Sequence, residues 1–260
     1  MPTRSGFDAY DQYRLANGTP RYPQRPVLAG AAISQAVSGG GTHSGAITGK
    51  VIAVSSLLDA DAFPWHADWY GRQVRSALGA GFEDTFRLWF TDHADHIAPG
   101  RTPRLIDYTG IVEQALRDVA AWAEHGRAPA PSTRYTVAGG QVEVAAAAAQ
   151  RRGLQPKDDV TVDDRQSFTT TVGQPLRLDA EIAVPPGAGS VVDIAWNATG
   201  LGPFEPVQFT DSSRVSHTVT YSAPGTYYPA VRVSVQREAD RRTPFARIET
   251  LGRMRIVVHP

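Results

Sequence analysis

The chain has 260 residues, enough for one large domain or two of ordinary size. Its 26 lysine and arginine residues balance 26 aspartate and glutamate residues, so charge gives no argument for nucleic acid or an acidic membrane surface as a partner. The absence of cysteine excludes disulfides, thiolate metal sites and a cysteine nucleophile. No run of about eighteen apolar residues occurs, so the sequence predicts no membrane-spanning helix.

The N-terminal stretch MPTRSGFDAYDQYRLANG lacks the apolar core that a signal peptide needs. The glycine-rich stretch SGGGTHSGAITGKV follows it and differs from a phosphate-binding loop. The position of the first glycine of that motif holds Ser44, and Lys50 is followed by Val51 and a strand-like run rather than by a helix. The sequence therefore predicts neither an export signal nor a nucleotide cofactor, and we expect no cofactor of another kind.

Residues 50–126 alternate between strand-like and helix-like patterns. The continuous apolar run 50–58 is typical of a buried parallel strand, and apolar residues at helical spacing after His66 predict a helix that ends before Gly79. The run 86–91 predicts a second strand, and 111–122 predicts a second helix that ends before Gly126. This order of strand, helix, strand, helix indicates an α/β arrangement.

The pattern changes after residue 126. Two alternating runs on either side of Gly139 and Gly140 predict a β-hairpin, and a short helix or linker follows it. Short β-branched runs separated by proline and glycine then predict strands at 160–162, 167–172, 176–184, 191–196, 216–221, 227–235 and 254–258. About seven short strands favour an immunoglobulin-like β-sandwich. We expect a partial α/β domain at 1–126, a linker with a hairpin at 127–159 and a separable sandwich at 160–260.

The stretch FRLWFTDHADHI begins as the second strand and then places two histidines and two aspartates close together. Three interpretations are open for this cluster. It could be a catalytic histidine with its neighbours, a solvated loop, or a metal site built from His66, Asp92, His93 and His96. No ligand set with a strong metal-binding spacing is present, so we expect no metal.

Two stretches resemble parts of the α/β-hydrolase superfamily. VIAVSSLLDADAFPW is similar to the turn that carries the acid of the catalytic triad, and FRLWFTDHADHI is similar to the last strand and histidine loop. The resemblance covers about residues 50–126 and implies that Asp59 is the acid and His96 is the base. Asp61 is the alternative acid, and His93 is the alternative base.

This assignment is chemically sensible. An imidazole can take a proton from a serine hydroxyl near neutral pH, while a carboxylate at its other ring nitrogen fixes the tautomer. Parallel strands deliver the loops that follow them to the same edge of a sheet, so groups far apart in sequence can meet there. We therefore predict that the side chains of Asp59 and His96 lie within about 5 Å of each other in the folded chain.

The superfamily's Gly-x-Ser-x-Gly nucleophile motif is missing, because GTHSG and AVSGG both depart from it. The resemblance then implies the C-terminal portion of an esterase-like serine hydrolase, inactive alone, whose nucleophile lies in an N-terminal segment outside this sequence. Its substrate would be a small-molecule or polymer-linked ester. If the chain does turn over esters, Ser44 and Ser38 are the nucleophile candidates. The alternative function is a non-enzymatic secreted binding or spacer module on a decayed hydrolase scaffold.

The C-terminal part resembles the PKD-like, immunoglobulin-type modules that accompany bacterial extracellular enzymes. The resemblance is carried by VGQPLRLDAEI, by VVDIAWNATG around Trp196 and by SHTVTYSAPGTYYPAVRVSV. It implies a secreted protein, although the chain itself carries no export signal. The stretch WNATG replaces the usual Trp-Asp and turn, which argues against a calcium or carbohydrate site. We expect Trp196 to belong to the sandwich core.

Overall fold

A computed structural model of the chain describes residues 13–23, 43–96 and 100–260. The chain forms two compact units, Met1–His43 and Ser44–Pro260. Of the first unit, the described residues form a turn closed by a β-bridge between Arg14 and Pro20. The second unit carries the helices and strands described below, and it contains residues 44–126 of the predicted α/β part together with the predicted linker and sandwich.

The α/β part of the second unit follows the predicted order. Its elements are β1 Val51–Ser56, α1 Pro64–Leu78, β2 Phe86–Thr91 and α2 Thr109–His125. Helix α1 begins at Pro64, a residue that suits the first turn because its missing N–H needs no partner there. Helix α2 ends at Gly126, whose left-handed φ of 66° lets its N–H donate to the carbonyls of the last turn.

Strands β1 and β2 pair in parallel, with Val51 opposite Phe86 and Ser56 opposite Thr91. The other edge of β2 is held by Ser132 and Thr133, whose hydroxyls accept the backbone N–H groups of Leu88 and Phe90 at 3.1 Å and 3.0 Å. Among the described residues, no third strand joins this pair. The two predicted strands and both predicted helices are therefore present, whereas an α/β-hydrolase half is not shown.

The remaining elements are mostly strands. They are the hairpin β3 Tyr135–Ala138 and β4 Gln141–Val144, the single helical turn α3 Ala148–Arg151, and the strands β5 Lys157–Thr161, β6 Ser167–Thr171, β7 Pro175–Ala183, β8 Ser190–Asn197, β9 Glu205–Pro206, β10 Arg214–Thr220, β11 Gly225–Tyr227, β12 Ala230–Gln236, β13 Ile248–Arg253 and β14 Arg255–His259. Strands β3 and β4 pair with each other as a two-stranded antiparallel sheet. Strands β5 to β14 form three further sheets in the orders β10-β7-β5, β11-β14-β6 and β13-β12-β8-β9. The chain is thus mostly β-sheet, with an immunoglobulin-like β domain.

The core of this β domain follows the alternation expected of a half-buried sheet. In β7, Leu176, Leu178, Ala180 and Ile182 are buried and alternate with more exposed residues. Trp196 is buried in the same cluster, with its ring stacked against that of His217, so it is a core residue as expected. Strand β13 and the short β9 were not predicted from the sequence, and the single predicted strand 227–235 covers parts of both β11 and β12.

Strands β8, β12 and β13 are buried along nearly their whole length, on both faces. The second face is covered by the α/β part: Ala94 and Ile106 lie in one buried cluster with Ala230 and Leu251. Trp89 and residues of α2 likewise belong to the main core of the β domain. The division at residues 126 and 160 stays a prediction, and the two parts share buried apolar contacts.

Within the described residues, no helix has both the length and the apolar character needed to cross a membrane. This agrees with the expectation from the sequence.

Candidate active site

Asp59 lies three residues beyond the end of β1 and is held in place by the turn that it begins. Its Oδ1 accepts the backbone N–H groups of Asp61 at 2.9 Å and Ala62 at 2.7 Å. These bonds close a local side-chain turn just before α1 and leave Oδ2 available for another partner. The side chain is only 11% exposed, so the carboxylate is fixed rather than free in solvent.

His96 lies five residues beyond β2, on the loop that follows the neighbouring strand. Its ring Nδ1 lies 3.0 Å from Oδ2 of Asp59, and its backbone N–H donates to Oδ1 of Asp95 at 2.7 Å. The ring is about half exposed. The two loops also meet through their backbones, because the N–H of Leu58 donates to the carbonyl of Ala94 at 3.0 Å. The predicted proximity of Asp59 and His96 is therefore present.

The two alternative residues occupy different places. Asp61 contributes its backbone N–H to Asp59, and its own side chain is exposed. His93 adopts a left-handed φ of 57° and lies partly buried, with Nδ1 3.5 Å from Oδ1 of Asp92 and without a hydrogen bond. Burial lowers the pKa of His93, and the charges of Arg253 and Arg151 act in the same direction against the Asp92 carboxylate. His96, not His93, is the histidine that meets the acid.

Asp59 and His96 stabilise each other's charged forms. Burial would raise the pKa of Asp59, but the N–H groups of Asp61 and Ala62 and the His96 ring outweigh it and hold that pKa below its ordinary value. The hydrogen bond and negative charge of Asp59 raise the pKa of His96. An ionised carboxylate only accepts hydrogen bonds, so Nδ1 carries the shared proton and Nε2 of the neutral ring offers a lone pair.

A cavity of about 300 Å³ adjoins this pair. It is lined by Asp59, His96 and Asp95, and Ser55, Ser56, Phe63, His66, Tyr108 and Val112 are among the other lining residues. This volume lies at the lower end of the range of small-molecule pockets, about 300–1,000 Å³. Ser55 and Ser56 are not among the site residues predicted from the sequence, although their place at the end of the strand that leads to Asp59 is a signal that could have found them.

The other residues considered from the sequence lie apart from this arrangement. Ser44 is exposed, and its hydroxyl accepts the backbone N–H of Ala46 at 3.3 Å. Ser38 lies outside the described residues. Across residues 13–23, 43–96 and 100–260, no three histidine or acidic side chains converge in a way that could hold a metal ion. Within these residues His66, Asp92, His93 and His96 are not brought together as one group of ligands.

Comparison with known proteins finds matches among solved structures only. No family model matches the chain, and no curated protein does. Among solved structures, the PKD domain of an M14-like peptidase from a Thermoplasmatales archaeon has 14% identity and a TM-score of 0.31, covering 42% of this chain and 100% of that one. The CARDB domain of a Pyrococcus furiosus protein, solved with di-metal ions, has 12% identity and a TM-score of 0.25, covering 40% and 90%.

An engineered protein has 13% identity and a TM-score of 0.28, covering 74% of this chain and 36% of that one. Likenesses at these TM-scores carry no argument about function. The assignment of an immunoglobulin-like β domain therefore rests on the strand pairing and the burial described above.

Proposed function

We propose that the chain supplies the acid and base of a hydrolytic site for carboxylic esters, with Asp59 as the acid and His96 as the base. The observation that carries the proposal is the 3.0 Å contact between His96 Nδ1 and Asp59 Oδ2. A carboxylate fixed by two backbone N–H groups and bound to the Nδ1 side of a half-exposed histidine is the arrangement of acid and base in a Ser-His-Asp triad.

In the proposed reaction, Nε2 of His96 removes the proton of a serine hydroxyl as the hydroxyl oxygen attacks the ester carbonyl carbon. Asp59 keeps the proton on Nδ1 and stabilises the imidazolium that forms. His96 then returns the proton to the departing alkoxide oxygen, which leaves as the alcohol. The acyl group remains on the serine oxygen. A water molecule gives a proton to Nε2 of His96 and attacks the acyl carbon; the bond from that carbon to the serine oxygen breaks, His96 returns the proton to the serine, and the carboxylic acid leaves.

The nucleophile belongs, in this proposal, to a segment of the same hydrolase outside this sequence. The support is that Gly-x-Ser-x-Gly does not occur in the 260 residues. The serine and the oxyanion hole are separate requirements, since losing a single oxyanion donor already slows acyl transfer on the order of a hundredfold or more. The protein is proposed to work outside the cell, on the basis of the sequence resemblance of its β domain to PKD-like modules.

The test compares the chain alone with a version that also contains the polypeptide encoded directly upstream of Met1. We expect the chain alone to leave a chromogenic short-chain ester at its background rate. The longer protein should hydrolyse it, and His96→Ala should lower its kcat by about a thousandfold or more. Ser56→Ala, made in the same protein, is the control for a hydroxyl that lines the cavity, and it should retain most of the activity.

Three results would count against the proposal. One is an upstream sequence without a serine nucleophile, and another is a longer protein that is folded and inactive. Both would favour the non-enzymatic module with a decayed site. The third is hydrolysis by the chain alone that Ser56→Ala abolishes, which would move the nucleophile into this chain.

A further inference from the structure

Gln155 holds the start of the loop that carries His96. Its side chain is 2% exposed, and its Oε1 accepts the backbone N–H of Asp92 at 2.8 Å. Its Nε2 donates to the carbonyl of Asp92 and to that of Glu249, both at 3.0 Å. Asp92 is the first residue beyond β2, so one amide side chain satisfies both backbone groups at the point where the strand ends and the loop begins.

Glu249, on β13 of the β domain, holds the chain on the other side of His96. Its carboxylate is buried, with Oε1 accepting Nε of Arg101 at 2.9 Å and Oε2 accepting the backbone N–H of Asp107 at 3.0 Å. The backbone also closes on itself here, because the N–H of Ile106 donates to the carbonyl of His93 at 2.9 Å. Both sides of the His96 segment are thus anchored by residues from the C-terminal part of the chain.

We propose that Gln155 and Glu249 are positioning residues for His96, and that through them the β domain sets the contact between His96 and Asp59. Neither side chain touches the acid or the base, and each acts on the backbone or on a residue of the loop. The catalytic meaning of this inference rests on the proposed function. Its structural content, that two buried polar anchors determine the geometry of the pair, stands on the contacts alone.

The physical reason is the exposure of His96. A half-exposed ring makes few packing contacts, so its orientation toward Asp59 depends on where its backbone is held. Without the Gln155 amide, the N–H and carbonyl of Asp92 lose their partners, and the turn relaxes to find others. The relaxed turn allows conformations in which Nδ1 of His96 is no longer bonded to Oδ2 of Asp59. In those conformations the hydrogen bond and the charge interaction that raise the pKa of His96 are lost, so the average pKa falls.

The experiment measures the pKa of His96 by NMR titration of its ring in the full chain, with His96→Gln used to assign the signal. In Gln155→Ala, we expect that pKa to fall by about half a unit or more toward the ordinary histidine value. Gln155→Met keeps the length of the side chain, removes its donors and acceptor and adds no charge, so it should act in the same direction. Arg101→Gln weakens the second anchor at an exposed position and gives a readout if both Gln155 variants fail to fold.

Gln236→Ala is the matched control. Gln236 is equally buried, and its amide also binds its own turn, accepting the backbone N–H of Asp240 at 3.0 Å and donating to Glu238. Its loss should lower the unfolding temperature without moving the pKa of His96. This separates positioning from a general loss of stability.

A pKa of His96 that stays at its wild-type value in the folded Gln155 variants and in Arg101→Gln would overturn the inference. An equal fall of that pKa in Gln236→Ala would overturn it as well. The readout needs no catalysis, so it is distinguishable from failure of the proposed function. If esters are never hydrolysed and the titrations behave as expected, only the catalytic interpretation is lost.

Discussion

Asp158 is a carboxyl group that folding removes almost completely from water. It is 6% exposed, its Oδ1 lies 3.3 Å from the Thr250 hydroxyl, and its Oδ2 has no hydrogen-bond partner. Burial raises its pKa to about 7, against the opposing hydrogen bonds from the Gly252 backbone and Thr250. The charged form of Asp158 is therefore less stable in the folded chain than in the unfolded one.

The sign of the resulting pH dependence follows from proton binding. The folded pKa of about 7 exceeds the unfolded value of about 3.9, so the folded state holds an extra proton between these values. The contribution of Asp158 to stability thus becomes less favourable as pH rises from about 4 to about 7 and then levels off.

Asp158→Asn cannot ionise and keeps the shape of the side chain, so we predict that it removes this slope. Its stability relative to the wild type should improve by about 1–3 kcal/mol between pH 5 and pH 8 in urea unfolding. Asp163→Asn, at an exposed turn with positive φ, is the control and should leave the slope unchanged. Parallel pH profiles for the wild type and Asp158→Asn would show that Asp158 ionises normally.

At the level of elements, helix α2 docks on the β domain through its first turn. A Cβ on Gly110 would lie 1.7 Å from the carbonyl oxygen of Arg247, so backbone meets backbone at that point. Nearby, Oε2 of Glu113 accepts the backbone N–H of Ala246 at 2.6 Å, and Asp118 pairs with both terminal nitrogens of Arg237. The helix that follows the candidate base loop is thus fixed by a close approach that only glycine allows.

Gly110→Ala should therefore destabilise the chain by about 3 kcal/mol or more, because the added methyl forces the helix off its docking surface. Thermal or urea unfolding measures the change. Gly81→Ala serves as the control, since nothing lies within 4 Å of its added Cβ, and it should change stability by less than about 1 kcal/mol. A Gly110→Ala protein as stable as Gly81→Ala would contradict the close packing of α2.

The sequence predicted elements well where the signal is local. The bounds of β2 are those of the apolar run 86–91, and α2 ends at the glycine that the sequence marks. Strand β13 was missed because it reads as IETLGR, with Glu249 and Gly252 interrupting the apolar alternation. Both interruptions have tertiary causes: Glu249 binds Arg101 and the Asp107 backbone, and Gly252 packs against Asp158. Local periodicity contains no such information.

The candidate site also contains residues that a local sequence pattern predicts and one that it does not. Asp59 and His96 follow two strands that a pattern can identify, so the parallel pairing predicts their meeting. Gln155 could not be found from the sequence, because its partner Asp92 lies 63 residues away and the surrounding stretch is typical of a linker. An isolated polar residue in such a stretch becomes informative only when its burial is known.

For the whole molecule, the central feature is the sheet β13-β12-β8-β9, whose second face is covered by the α/β part. A separate fragment 160–260 would expose Ala230 and Leu251, which are buried in the full chain. Residues 44–260 form one compact unit rather than two. The shared contacts couple the stability of the candidate base loop to that of the β domain.

We therefore predict that residues 44–260 unfold in a single cooperative transition, with tryptophan fluorescence and far-ultraviolet circular dichroism giving coincident curves. Fragment 160–260 alone should unfold at a lower denaturant concentration than the β domain within the full chain. Two separate transitions, or a proteolytic fragment of the last hundred residues as stable as the full chain, would instead support the separable domains predicted from the sequence.

The Asp59–His96 pair also has a pH window of its own. The pKa of Asp59 is lowered, so its contribution to stability is present above about pH 3.9 and is lost as pH falls through the lower folded value. The pKa of His96 is raised, so its contribution is complete below about pH 6.5 and is lost as pH rises through the higher folded value. Between these limits both groups are charged and paired.

The NMR titration of the His96 ring, in the wild type and in Asp59→Asn, tests the central claim most directly. We predict a wild-type pKa above the ordinary histidine value of about 6.5, with a hydrogen-bonded Nδ1 proton on the neutral ring. Asp59→Asn should return that pKa to the ordinary value or below it, while Asp61→Asn should change it much less. An ordinary pKa in the wild type, or one that Asp59→Asn leaves unchanged, would contradict the acid and base assignment.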